Sequence, residues 1–286
     1  MIMDKDINEW LTKAIVTFVE ESSENLLGED CIENAWNSPL VGFSRGDDAL
    51  YSFLKEDIGD FYMTPHEFFT NTFPHIDITP EELSIISWVL PQTDMTKEEQ
   101  QKEKDYPTKR AILARVNGDR FNKKISEFMI DILDKEGIES VSPMLSSLWK
   151  NENSPKYGFA STWSERHTAY VSGLGTFGLS DLLITSAGKA MRCGSVIARI
   201  KVKPTKRRYT THTEYCLFYK NGGCMKCAER CPANAINENG HDKRKCREYQ
   251  INIASKHTKY AYNMDSRYCG ICQFGVPCES KIPNKI

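Results

Sequence analysis

Apolar residues at Ile7, Trp10, Leu11, Ile15, Phe18 and Val19 recur at helical spacing directly after Asp6, which predicts an amphipathic helix capped by that aspartate. Ile125, Phe128, Met129, Ile132 and Leu133 predict a second, closed by Gly137. Between them the run LSIISWVL, Leu83 to Leu90, stops at Pro91 and reads as a buried strand. Asp181 to Thr185 (DLLIT) and Ser195 to Val202 (SVIARIKV) predict two further strands, the second with Val196, Ala198, Ile200 and Val202 on one face. Thr162 and Glu165 stand at capping-box spacing ahead of a short predicted helix over Trp163 to Ser172. Thr96 to Arg110 (TKEEQQKEKDYPTKR) is charge-dense and predicts an exposed loop or solvated helix. Helices and strands alternate without a repeat, the pattern of an α/β (α+β) fold.

Composition narrows the function classes. The 286 residues hold one large domain or two ordinary ones, and 37 basic against 39 acidic side chains exclude a strongly basic nucleic-acid binder, so DNA is not an expected partner. Pro204 and the basic run Lys206-Arg207-Arg208 mark a boundary, dividing an α/β domain over residues 1–204 from a second domain over 205–286. The most apolar run is far shorter than the roughly 20 residues that span a bilayer. The acidic start at Asp4 and Asp6 does not read as a secretion signal, so no membrane association and a cytoplasmic location are expected.

Cysteine placement carries the chemistry. Of ten cysteines, Cys31 and Cys193 precede residue 215 and read as buried or incidental thiols, while eight fall between Cys216 and Cys278. Cys224-x2-Cys227-x3-Cys231-Pro232 is preceded by Cys216 and followed by Cys246, Cys269-x2-Cys272 and Cys278. Bacterial two-cluster ferredoxins carry Cys-x2-Cys-x2-Cys-x3-Cys-Pro, the last cysteine serving the other cluster. Here Asn221 stands where the first cysteine belongs, and Cys216 lies five residues upstream. The crossed pattern assigns Cys216, Cys224, Cys227 and Cys278 to one 4Fe-4S cluster, and Cys231, Cys246, Cys269 and Cys272 to the other. Zinc ribbons also use Cys-x2-Cys pairs, and secreted proteins pair clustered cysteines as disulfides. The Cys-x3-Cys-Pro ending favours iron–sulfur.

Gly173-x-Gly175-x-x-Gly178 matches a dinucleotide fingerprint, but it follows a predicted helix and runs into a strand, the reverse of the βαβ context that fingerprint needs. The longer stretch SERHTAYVSGLGTFGLSDLLITSAGKAMRCGSVIA, Ser164 to Ala198, resembles the corresponding segment of epoxyqueuosine reductases and corrinoid reductive dehalogenases, and the cysteine module follows in the matching order. Pro39 to Phe43 and Ala114 to Phe121 echo the same family. The resemblance implies a nitroreductase-like domain holding cobalamin beside a ferredoxin-like domain with two 4Fe-4S clusters. It places Gly173, Gly175, Thr176, Gly178 and Thr185 along the corrinoid, and Arg192 on a phosphate or propionamide group. The chain departs from epoxyqueuosine reductases at Phe159-Ala160-Ser161-Thr162, where they carry a catalytic aspartate, and the sequence ends at Ile286, before their helical-repeat tail.

Reductive bond cleavage needs a proton donor as well as electrons. Glu165 and His167, beside the glycine loop, are the candidate catalytic residues, with capping partner and surface histidine as their ordinary roles. His66, His75, His212, His241 and His257 show no paired metal-ligand spacing. The basic stretch from Arg199 to Arg208 would attract RNA or an acidic electron donor such as flavodoxin or ferredoxin, or is a solvated face. The expected function is an oxidoreductase that passes electrons through two clusters to cobalamin, acting on a small molecule or modified nucleoside. The alternative is an electron-transfer or corrinoid-activating protein that serves a protein partner.

Overall fold

The computed structural model describes residues 6–28 and 31–284; the side chain of Cys31, and with it the reading of that thiol, lies outside what is described. Helix α1 (Ile7–Glu21) starts where Asp6 accepts the backbone N–H groups of Asn8 and Glu9, and it buries Leu11, Ile15 and Val19. A small hairpin, β1 (Leu26–Gly28) and β2 (Cys31–Asn34), leads to β3 (Leu40–Arg45), α2 (Ala49–Ile58) and α3 (Pro65–Thr72). The apolar run forms β4 (Ser84–Pro91), all eight residues buried. After α4 (Asp94–Lys102), α5 (Lys109–Lys135) and β5 (Ser140–Val141) come the hairpin β6 (Asn151–Ser154)/β7 (Gly158–Ser161) and α6 (Glu165–Val171). The α/β part closes with β8 (Gly175–Phe177), β9 (Leu183–Thr185) and β10 (Met191–Ala198).

The central sheet has strand order β3-β4-β10-β5, antiparallel throughout. Side-chain alternation sends Phe43, Ile86, Trp88, Leu90, Val196 and Ala198 to one face, where α1 and the long α5 cover them with Ile15, Phe121, Ile125 and Met129. Ile200 and Val202 continue that face beyond the end of β10. Ile85 and Ile197 point the other way, against Tyr51, Phe68, Trp163 and Val171 from α2, α3 and the region of α6. Gly194 pairs with Trp88 across the sheet, and a Cβ at Gly194 would lie 2.5 Å from the indole, so the glycine makes room for the largest core side chain.

Three local expectations are corrected. The second amphipathic helix reaches back to Lys109, capped by Thr108, and ends as expected at Gly137, whose N–H reaches the Asp134 carbonyl with φ +73°. The charge-dense stretch is not merely solvated: α4 buries Thr96, Lys97 and Gln100. The reason is long-range, because Lys97 bonds Ser280, Gln101 bonds Glu279, and Arg230 caps the carbonyls of Gln100, Gln101 and Glu103. Thr162 and Glu165 form no capping box; the Thr162 hydroxyl donates to the Leu148 carbonyl and Ser164 is the N-cap of α6.

The cysteine-rich segment carries α7 (Leu217–Asn221), α8 (Lys226–Glu229), the pair β11 (Ile236–Asn237)/β12 (Gly240–His241), α9 (Lys243–Tyr249) and α10 (Ser255–Tyr262). Its core is small: Cys216, Cys227, Cys231, Ala235, Ile236 and Val276 cluster with Leu179 and Ile184 of the preceding segment.

Candidate functional site

Cys216, Cys224, Cys227 and Cys278 line one pocket, closed by Gly178, Leu179, Ile184, Leu217, Val276 and Lys189. The first cysteine is seated by the glycine loop: Thr176 Oγ1 accepts the Tyr215 N–H at 2.9 Å, and a Cβ on Gly178 would stand 3.7 Å from Cys216 Sγ. The short helix after Met225 sets Cys227 beside Cys224, and a turn in which the Cys231 N–H reaches the Ala228 carbonyl carries the chain to Cys231 and Pro232. The Lys189 N–H donates to the Cys278 carbonyl at 2.9 Å, fastening the last cysteine to the strand segment.

Lys189 is 2% exposed and, among the described residues, its ammonium bonds only Ser180 Oγ, at 3.3 Å. Burial works against its charge, yet the sulfurs of Cys278, Cys227, Cys272 and Cys216 outweigh burial and raise its pKa. Lysine is almost never fully buried unless paired, so no sequence signal pointed to it.

The remaining cysteines gather next to this pocket. Burial pushes the thiols of Cys269 and Cys272 up to about 12, with Cys246 and Cys231 adding to the first and Cys269, Cys227 and Cys231 to the second. A coordinated thiol is deprotonated by its metal, so such burial is tolerable for a ligand and unfavourable for a free thiolate. Cys231 Sγ accepts the Ala235 N–H at 3.3 Å, and Gln250 Nε2 lies 3.1 Å from Cys246 Sγ. His241, which has no metal-ligand spacing in the sequence, pairs with Asp181 at 3.2 Å. Burial would lower its pKa, but Asp181 and Cys246 raise it to about 9.

Four soft donors around one pocket, with a buried cation among them, fit a thiolate-bound anionic cluster. Among the described residues no three His, Cys, Asp or Glu side chains converge on a single ion. A tetrahedral zinc draws its sulfurs to within about 4 Å of one another, whereas a four-iron cube gives each thiolate its own iron.

Glu165 and His167 do not line the cysteine pocket. Both Glu165 carboxylate oxygens are sealed from solvent without a hydrogen-bond partner. Burial raises its pKa to about 8, opposed by nearby Ser195 and Trp163. His167 packs against Phe177 and Tyr62 and contacts Ser164 Oγ at 2.8 Å; burial lowers its pKa to about 3, so the ring is neutral. Buried Cys193 contacts Met191 Sδ, its pKa raised by burial and then by Glu165. Where the aspartate is missing, Phe159 lies under the Arg247 guanidinium at 4.1 Å and its carbonyl accepts Lys243 Nζ, which fastens β7 to α9.

The residues named for cobalamin are occupied otherwise. A Cβ on Gly175 would overlap the Ile184 carbonyl, and one on Gly173, at φ +79°, would meet Thr205 at 3.1 Å. Thr185 is fully buried, donating to the Gly188 carbonyl and accepting the Ala187 N–H, and Thr176 is committed to Tyr215. Arg192 differs: Nε pairs with Asp119 at 2.8 Å, while Nη2 is buried without a partner at a small pocket shared with Gln92, Arg115 and Tyr268. The basic stretch is partly paired, Arg207 with Asp48 and Arg199 with Glu82.

No family model matches the chain. A tetrachloroethene reductive dehalogenase of Desulfitobacterium hafniense is 30% identical over 115 residues, 39% of this chain and 20% of that protein. The fold is similar to that of a reductive dehalogenase described for B12-dependent dehalogenation, with TM-score 0.52 and 15% identity over 86% of this chain and 30% of that one. It is also similar to epoxyqueuosine reductase from Bacillus subtilis, with TM-score 0.50 and 16% identity over 96% of this chain and 69% of that one. The chain thus shares its fold with the two groups that Ser164 to Ala198 resembles, and its sequence match spans a fifth of the curated dehalogenase. No described helix is long and apolar enough to cross a membrane.

Proposed function

We propose that this chain is an iron–sulfur oxidoreductase that carries single electrons through two 4Fe-4S clusters into a reductive reaction. The observation that carries the reading is the pocket in which Cys216, Cys224, Cys227 and Cys278 surround buried Lys189. These four hold one cluster, and Cys231, Cys246, Cys269 and Cys272 hold the other, in a ferredoxin-like domain over residues 205–286 against an α/β domain over 1–204. When bound, the clusters supply one-electron transfer. The chain's own contribution is to ligate them, to exclude water with Leu179, Ile184, Leu217 and Val276, and to keep a proton on Glu165 at neutral pH. Neutral His167 holds the start of α6 through Ser164. Flavodoxin or ferredoxin is the class of donor such clusters accept electrons from, and the location is cytoplasmic.

The B12-dependent dehalogenase of the same fold makes cobalamin the acceptor to test, and the epoxyqueuosine reductase makes a modified nucleoside or another small molecule the substrate class. The residues named for cobalamin do not fit it: Gly173, Gly175, Thr176, Gly178 and Thr185 are packed against protein, and Arg192 alone offers a free donor. The same packing favours a second reading, in which the electrons pass to a protein partner, such as one that carries its own corrinoid.

Metal content of protein purified without oxygen, from cells supplied with cobalamin, tests both readings. About eight irons per chain without cobalt is the expected result. About one cobalt per chain would place the acceptor on this protein, and zinc in place of iron would overturn the two-cluster reading.

A further inference from the structure

Resting on the two-cluster reading, we propose that Lys189 is the built-in countercharge of the cluster held by Cys216, Cys224, Cys227 and Cys278 and raises its reduction potential. A lone buried ammonium is costly by several kcal/mol unless something compensates it. Lys189 lines the pocket of these four cysteines, is 2% exposed, and has one neutral hydrogen-bond partner, Ser180 Oγ at 3.3 Å. Its own N–H groups the turn with the last ligand by bonding the carbonyls of Cys278 and Glu279 at 2.9 and 3.1 Å. At the preceding residue, Gly188 has φ +84°, and a Cβ there would overlap the Glu279 carbonyl. These backbone contacts with Cys278 and Glu279 set Lys189 in the lining of the pocket beside the last cysteine.

Four thiolates outweigh the positive charge of an oxidised iron–sulfide core, and reduction adds one more negative charge. A fixed cation at the pocket wall stabilises the reduced form more than the oxidised form, and the dry surroundings strengthen that difference.

The test is a potentiometric titration followed by electron paramagnetic resonance on anaerobically reconstituted full-length protein, comparing wild type with Lys189→Met and Lys189→Arg. Iron is counted in each sample. With iron retained, Lys189→Met shifts the reduction equilibrium of the first cluster at least tenfold toward the oxidised form, about 59 mV for a one-electron couple. Lys189→Arg keeps the charge and shifts it less than tenfold. An unchanged midpoint in Lys189→Met at full iron content overturns the proposal. Should Lys189→Met lose iron, retention in Lys189→Arg supports the countercharge, whereas loss in both variants shows a packing role and overturns it. Wild type without iron would instead remove the two-cluster reading itself.

Discussion

Thr176 Oγ1 accepts the backbone N–H of Tyr215 at 2.9 Å, one residue before Cys216. The segment that resembles a cofactor loop is thus the seat of the first cysteine. Removing the acceptor leaves a partly buried N–H unsatisfied, a penalty of about 1–3 kcal/mol. Thr176→Val is expected to release iron faster to a chelator than wild type, with Thr176→Ser restoring the wild-type rate. Equal release rates in all three proteins would show that this bond does not hold the ligand in place.

Two glycines with positive φ separate backbone strain from steric exclusion. Gly137 has φ +73° and open space where a Cβ would go, so Gly137→Ala is expected to cost about 1–2 kcal/mol, the left-handed penalty alone. Gly188, at φ +84°, abuts the Glu279 carbonyl, so Gly188→Ala must also push residues 279–280 away. A larger loss of melting temperature in Gly188→Ala, together with loss of iron, is the expected result, and thermal melts with metal analysis measure both.

Glu165 links proton supply to stability. Its carboxyl is raised from an ordinary value of 4.5 to about 8 in the fold, so the folded state binds the proton more tightly than the unfolded chain. The contribution of Glu165 to stability therefore falls as pH rises from 4.5 to 8 and is level outside that window. Glu165→Gln, neutral at every pH, is expected to melt higher than wild type above pH 8 and to show no such gain below pH 4.5. If Glu165 donates the proton in turnover, the same variant loses about 100-fold or more in reductive rate while its clusters still accept electrons.

The crossed ligand sets predict which signal each cysteine controls. Cys231→Ser is expected to remove the cluster shared with Cys246, Cys269 and Cys272, and with it about four of about eight irons. Cys278→Ser is expected to remove the other. Mössbauer or paramagnetic resonance spectra distinguish the two losses, and loss of only the Cys224 cluster from Cys231→Ser would defeat the assignment.

Legibility in the sequence followed the range of the interactions involved. Asp6 and Gly137 bound helices they nearly touch along the chain, and β4 announces itself because both of its faces are covered. The first half of α5 is hard to read because Arg110 pairs with Glu33 and Glu99, and Asp119 pairs with both Arg115 and Arg192, which blurs its apolar stripe. The burial of Gln100 in α4 depends on partners as distant as Arg230, and the Thr162 hydroxyl turns to Leu148, so charge density and the capping-box spacing misled there.

The sequence by itself determined the donor chemistry, because eight clustered thiols, with two Cys-x2-Cys pairs and a Cys231-Pro232 ending, can be read without knowing where the chain goes. It also determined the likeness of Ser164 to Ala198 to the reductases and dehalogenases whose fold the chain shares. Tertiary structure alone decided that the glycines press on Ile184 and Thr205, and that Lys189 stands buried in the lining of the pocket that Cys216 and Cys278 share. The physical reason is distance along the chain: covalent geometry relates residues a few positions apart, while a buried charge and its compensation are set by packing between segments some ninety residues apart, as with the Lys189 N–H and the Cys278 carbonyl.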